Sequence, residues 1–240
     1  MVDIYSDPSF YSPFGPKFFE ARLVEETRLD LLEFVDINKK LEIGTDIPAF
    51  LQPWSGGITK GDLRHISKKE DEAQKGIIGK TIDKLLSSYI MNFMDISDKD
   101  ELDNEIEYNV NSCWSLILGY GDFVKYHWHD GHALDMEFGY VSGVMYLKAE
   151  NDEETNAPEG NFTWYSPYKF EKINKHIKEI HPQTGNIFVW PSWVPYSINP
   201  TRNHKNQHTM IFFKGSWDAI SKKPQEEFMK WKTQKNMEIL

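Results

Sequence analysis

The chain has 240 residues, 40% hydrophobic and 14% aromatic, enough to bury one substantial core. Its 27 basic and 37 acidic side chains leave a formal net charge of −10, which disfavours nucleic acid and anionic membrane as partners and leaves a small molecule as the better fit. Cys113 is the single cysteine, so no internal disulfide can form and a reducing compartment is expected.

The first residues, Met1 to Pro8, carry neither the basic segment nor the apolar run of a secretory signal, and no stretch reaches membrane-spanning length. A cytoplasmic protein is therefore expected. Residues 5–19 mix Pro8, Pro13 and Pro16 with six aromatic side chains, which suits an extended arm across a core better than a helix. Leu31, Leu32, Phe34, Val35 and Leu41 among charges predict an amphipathic helix from Val24 to about Lys40. Pro53, Gly56, Gly57 and Gly61 mark residues 51–71 as loop, with His65 a solvated side chain. Ile78, Ile82, Leu85, Leu86, Tyr89, Ile90 and Phe93 recur at helical spacing and predict a second helix over 72–94, laid on a sheet.

After the charged link 95–103 the pattern changes to short strands parted by turn residues. Strands are predicted over 105–118, 123–129, 140–148, 161–165, 186–190, 196–199 and 207–214, with the acid-rich 149–160 a solvated loop. Close turns without intervening helices predict a mainly β jelly roll, cupin-like, with flanking helices. The division is an N-terminal arm with supporting helices over 1–104, a β core over 105–216, and a C-terminal helix and tail over 217–240, in one structural domain.

His127 and His129 enclose Trp128, and in an extended strand both imidazoles point the same way, so the pair can grip one metal ion. An HxH alone is more often a hydrogen-bonded structural pair. The surrounding order sharpens the reading: Trp114, a Gly121-Asp122 turn, His127-Trp128-His129, the run Ser142-Gly143-Val144-Met145-Tyr146-Leu147, then residues 185–196 ending Pro191-Ser192-Trp193-Val194-Pro195-Tyr196. This order resembles a branch of the 2-oxoglutarate and Fe(II)-dependent oxygenases, in which an HxH strand precedes an SGVYYL-like strand and an FPSWxPH-like segment. The resemblance covers roughly 105–214 and is most specific in its last part.

The resemblance implies a double-stranded β-helix whose open mouth holds Fe(II) and 2-oxoglutarate. It makes His127 the first metal ligand and puts His129 where more typical members carry an acid. Three facial protein ligands leave open positions for a keto acid and oxygen. Two departures bear on this. Tyr196 stands where the family places its distal histidine, and a phenol binds metal well only after losing a proton near pH 10. His208 stands where the family carries the arginine that holds the keto acid's distal carboxylate, and an imidazole cannot supply a bidentate fork. Lys214, of the same strand parity, and Arg202 offer other cations. Asp130, His132, Asp135 and Glu137 lie between the HxH and the next strand, and one of the acids among them could complete the metal site. His176, His181 and His204 read as surface residues, and Trp114, Trp128, Trp164, Trp190 and Trp193 as core or cavity walls.

Three functions remain open at this point: an oxygenase hydroxylating an unknown substrate, a retired binding or structural module of the same fold, and a cupin-like metalloprotein without a keto acid.

Overall fold

The computed structural model describes residues 4–13, 17–38, 57–58, 72–100, 102, 106–129, 140–149, 160–166, 177–201 and 207–219. Thirteen-residue β4 (Ile106–Leu118) pairs antiparallel with β11 (His208–Ala219), which pairs on its other side with β6 (Tyr140–Ala149). Beyond β6 lie β9 (Asn186–Pro191), β2 (Phe18–Leu23) and β1 (Tyr5–Tyr11), and beyond β4 lies β3 (Gly57–Ile58), giving a seven-stranded antiparallel sheet. A second sheet of four runs β5 (Val124–His127), β10 (Tyr196–Ile198), β7 (Phe162–Tyr165), β8 (Ile177–Ile180). Two facing antiparallel sheets with helices outside make the expected mainly β double-stranded β-helix.

Residues of β6 and β11 are buried on both faces, and the period of two divides them. Val144, Tyr146, Met210 and Phe212 turn towards the four-stranded sheet and meet Phe162, Trp164, Tyr196 and Ile198 in an inner core. Val141, Met145, Ile211 and Phe213 turn the other way, into a second core built with the helices. Those helices are α1 (Glu25–Asn38) and α2 (Glu72–Met94). Glu25 and Glu26 place negative charge on the first turn of α1, where it complements the helix dipole. Arg28 pairs with Glu25 and donates to the Leu147 carbonyl at 2.7 Å, tying α1 to the end of β6. Ile78, Ile82, Leu85, Leu86, Tyr89 and Ile90 of α2 are all buried. Each such side chain contributes roughly 1.5–3 kcal/mol.

The described residues of the 5–19 arm are extended as expected, but they are sheet and not a strap across a core: Phe19 to Arg22 pair with β9, and β1 closes the edge. Pro8 is tolerated there because an edge strand has a side that needs no N–H donor. The first three strands therefore hydrogen-bond into the same sheet as the β core. Gly57 and Ile58, read as loop, pair with Ile117 and Leu116. The sequence reading missed β8, and β11 runs on to Ala219. The rest of the predicted C-terminal helix, the 150–159 loop, His65, His176 and His204 lie outside the described residues.

Gly143 has a direct packing reason. A Cβ there would stand 2.1 Å from Phe213 Cζ, on the paired residue of the next strand. Gly79, on an exposed part of α2, would meet nothing within 4 Å. Gly143→Ala is thus expected to lower stability by about 1–3 kcal/mol through overpacking. Gly79→Ala should raise it by about 0.5–1 kcal/mol through helix propensity. Urea midpoints of the two variants read both signs, and a neutral Gly143→Ala would contradict the packing described.

Candidate metal centre

Three strand ends bring the motif residues together. Tyr196 opens β10 and is the registered partner of His127 on β5 and of Trp164 on β7. The strand ends at His127, and His129 sits on a bend beyond it. The two imidazoles nevertheless meet, with ring centroids 5.4 Å apart. Tyr196 lies 4.4 Å from the His127 ring and 5.2 Å from the His129 ring, so His127, His129 and Tyr196 form one cluster.

What holds His129 off a regular strand is a set of polar contacts. The Lys214 ammonium donates to the His129 carbonyl at 3.0 Å. The His129 amide donates to the Ser192 carbonyl at 3.3 Å, and the Ser192 amide to the Tyr140 carbonyl at 3.0 Å. On the ring, Nδ1 lies 2.8 Å from Ser142 Oγ and Nε2 lies 2.7 Å from Tyr196 Oη. Trp114 packs its edge against the same imidazole at 5.3 Å.

Burial holds the His129 imidazole well below its ordinary pKa, with His127 and the Lys214 charge adding to the effect. Burial lowers His127 as well, partly opposed by the Lys125 carbonyl that accepts its Nδ1 proton at 2.8 Å. Both rings are therefore neutral at pH 7, the state in which imidazole binds metal. Burial pushes the Tyr196 phenol well above its ordinary value, and nearby Tyr146 pushes the same way. In the absence of a cation Tyr196 is a neutral hydrogen-bond donor.

This donor set fits a divalent metal in two of its three members. His127, with its Nδ1 proton committed to a carbonyl, keeps the lone pair on Nε2, which is the usual support of a ligating histidine. His129 presents Nε2 to Tyr196. No group of three or more His, Cys, Asp or Glu suited to a metal occurs among the described residues. Asp130, His132, Asp135 and Glu137 lie outside them, as does Arg202.

His208 is fully buried on the inner face of β11, 6.0 Å from the Tyr146 ring. A Cβ at Gly160 would stand 2.4 Å from its Cε1. The Tyr146 hydroxyl, also fully buried, has no hydrogen-bond partner among the described residues, an orphaned donor in the inner core beside His208. Lys214 shares the parity of His208, but its ammonium is committed to the backbone of His129. Trp164 and Trp190 are core walls as expected, whereas Trp128 is 47% exposed and walls nothing. His181 is exposed, bonded through Nδ1 to Asn161 Oδ1 at 2.7 Å. Ser142 and Ser192 carried no role in the sequence reading, although both stand inside its motifs. Their signal is position: Ser142 opens the Ser142-Gly143-Val144 run and Ser192 lies inside Pro191-Ser192-Trp193.

Comparison with known proteins points the same way. Residues 112–212 match the family model described as "Putative 2OG-Fe(II) oxygenase". A prolyl-4-hydroxylase from Pseudomonas putida is similar in fold at TM-score 0.53 and 16% identity, over 88% of this chain and 91% of that one. HygX from Streptomyces hygroscopicus, solved with nickel and 2-oxoglutarate bound, is similar at TM-score 0.53 and 8% identity, over 83% and 82%. The viral collagen prolyl hydroxylase vCPH from Paramecium Bursaria Chlorella virus-1 gives TM-score 0.51 and 12% identity, over 83% and 95%. No curated protein sequence matches the chain. The family model agrees with the resemblance read from the motifs, and at these identities the solved structures add the fold alone.

Tyr196→Phe deletes the donor to His129 while keeping the ring. Leaving a buried imidazole nitrogen without its partner costs about 1–3 kcal/mol. Thermal unfolding of the metal-free variant should show that loss, and unchanged stability would mean the bond is not made.

Proposed function

On the premise that residues 112–212 are those of a 2-oxoglutarate and Fe(II)-dependent oxygenase, an oxidoreductase family, we propose that this protein hydroxylates a C–H bond of its substrate. In this reading His127 and His129 hold the iron and Tyr196 stands as the third group of the site. The observation that carries it is the meeting of three motif positions, His127 at the end of β5, His129 on the bend beyond it and Tyr196 on β10, with ring centroids 4.4 Å, 5.2 Å and 5.4 Å apart. Bound iron would supply oxygen activation coupled to keto-acid decarboxylation, chemistry that belongs to the metal and not to side chains.

The chain's own residues bind, orient and exclude water. His127 and His129 offer neutral Nε2 atoms, each anchored through Nδ1. Tyr196 can serve as an anionic ligand only by releasing its proton, which its burial resists and a nearby cation favours. Tyr146 and His208 are the polar groups of the inner core that would face the distal carboxylate of 2-oxoglutarate, a hydroxyl donor and an imidazole in place of a guanidinium fork. Phe212, Trp190 and Phe162 pack beside these groups and keep water from them. A net charge of −10 favours a neutral or cationic substrate over a polyanion.

A second reading, a binding module of the same fold, draws support from one contact. At 2.7 Å the Tyr196 hydroxyl occupies the nitrogen that His129 would give to a metal. A cupin-like metalloprotein without a keto acid would need an acid such as Asp135 or Glu137, which lie outside the described residues.

Anaerobic reconstitution with Fe(II), followed by metal analysis and a succinate assay with 2-oxoglutarate, separates the three. The oxygenase reading expects near-stoichiometric iron and succinate formation, with iron binding weakened at least about a hundredfold in His127→Ala. Absence of bound metal supports the binding module, and metal without keto-acid consumption supports the third reading.

A further inference from the structure

We propose that Ser142 and Ser192 are positioning residues, a two-hydroxyl relay that fixes the tautomer of His129 so that its Nε2 lone pair faces the metal position. The proposal rests on the oxygenase reading for its purpose but not for its geometry.

A neutral imidazole carries its proton on either nitrogen, and its surroundings decide which. For His127 the decision is simple. Nδ1 faces the Lys125 carbonyl, which can only accept, so Nδ1 carries the proton. His129 has no such partner on its ring. Both its nitrogens face hydroxyls, Ser142 Oγ at 2.8 Å and Tyr196 Oη at 2.7 Å, and a hydroxyl can either donate or accept. Distances alone permit two polarities of the chain.

Acidity resolves them. A phenol is a far stronger proton donor than an alkyl alcohol, so Tyr196 donates to Nε2 and Nδ1 must carry the proton. Ser142 must then accept, and its own proton needs somewhere to go. Ser192 Oγ lies 2.7 Å from Ser142 Oγ and receives it. Ser142 is fully buried, so leaving its proton without an acceptor would be costly. Without Ser192, Ser142 would turn its proton towards Nδ1 and compete with the Tyr196 donation, drawing population to the opposite tautomer, with N–H where the lone pair should be.

The relay is also held in place by backbone. Ser142 on β6 is the registered neighbour of Trp190 on β9, and Ser192 follows directly after that strand, with its carbonyl accepting from the His129 amide at 3.3 Å. The same two residues thus grip the bend and set the ring. Where the family resemblance puts an acid, no tautomer exists to be set. An imidazole at position 129 creates the need that these serines meet.

The test uses the metal-free full chain with 15N-labelled histidine, reading the His129 ring nitrogens by long-range proton–nitrogen correlation above pH 7.5. In the native protein Nδ1 should appear protonated and Nε2 bare. Ser142→Ala should shift the tautomer ratio at least about tenfold towards protonated Nε2 and weaken Co(II) binding about 10–100-fold. Ser142→Thr, which keeps the hydroxyl, should restore both. Ser192→Ala should shift the ratio in the same direction, and it decides the matter if Ser142→Ala fails to fold. A native tautomer pattern preserved in Ser192→Ala, or in folded Ser142→Ala, overturns the relay. The stated tautomers in a native protein that binds no Co(II) would uphold the relay and sink the oxygenase reading instead.

Discussion

The hydrogen bond between the Tyr196 hydroxyl and His129 Nε2 joins the two sheets at the one place where chemistry is concentrated. Tyr196 belongs to the four-stranded sheet, and His129 is fastened to the seven-stranded one through Ser142 and Lys214. Around this bond the inner core is packed with rings. Phe162 stacks on Tyr196 at 5.1 Å and Phe212 at 5.9 Å, so the phenol has little freedom to swing away from the imidazole.

Much of the architecture was legible because the apolar periods are clean. The stripe from Ile78 to Phe93 lies in a helix that ends where the sequence put it, at Met94, and the strand carrying Ser142 to Leu147 needed two apolar faces, as its position between strands on both sides demands. Strands lacking that pattern were lost. Ile177 to Ile180 is mostly exposed, with Lys178 and Glu179 at its centre, so no alternation marked it. The arm was ambiguous for a related reason: its prolines argue against a central strand and are silent about an edge one.

The cluster of His127, His129 and Tyr196 was legible as a motif but not as a geometry. Strand parity put His127 and His129 on one face, which is where they lie, although His129 is not in the strand. A lysine from β11 and two serines do what regular pairing was expected to do. Such long-range polar contacts leave no periodic trace. Tyr196 was visible as a departure from a pattern, while its partner nitrogen became visible only in three dimensions.

Along β4 the set that packs with the helices changes from even to odd. Tyr108 and Val110 pack with the helices, yet beyond Asn111 it is Cys113 and Ile117 that do so, while Trp114 and Leu116 turn to the inner core. The pairing with β11 slips by one between Val110 and Ser112, leaving Asn111 as an extra residue. That single supernumerary residue lets one continuous strand answer to two different phase rules. It follows that length, more than identity, is under constraint here: an asparagine at an exposed position tolerates replacement, while its excision would rotate Trp114 away from His129 and present the Cys113 thiol to the inner core.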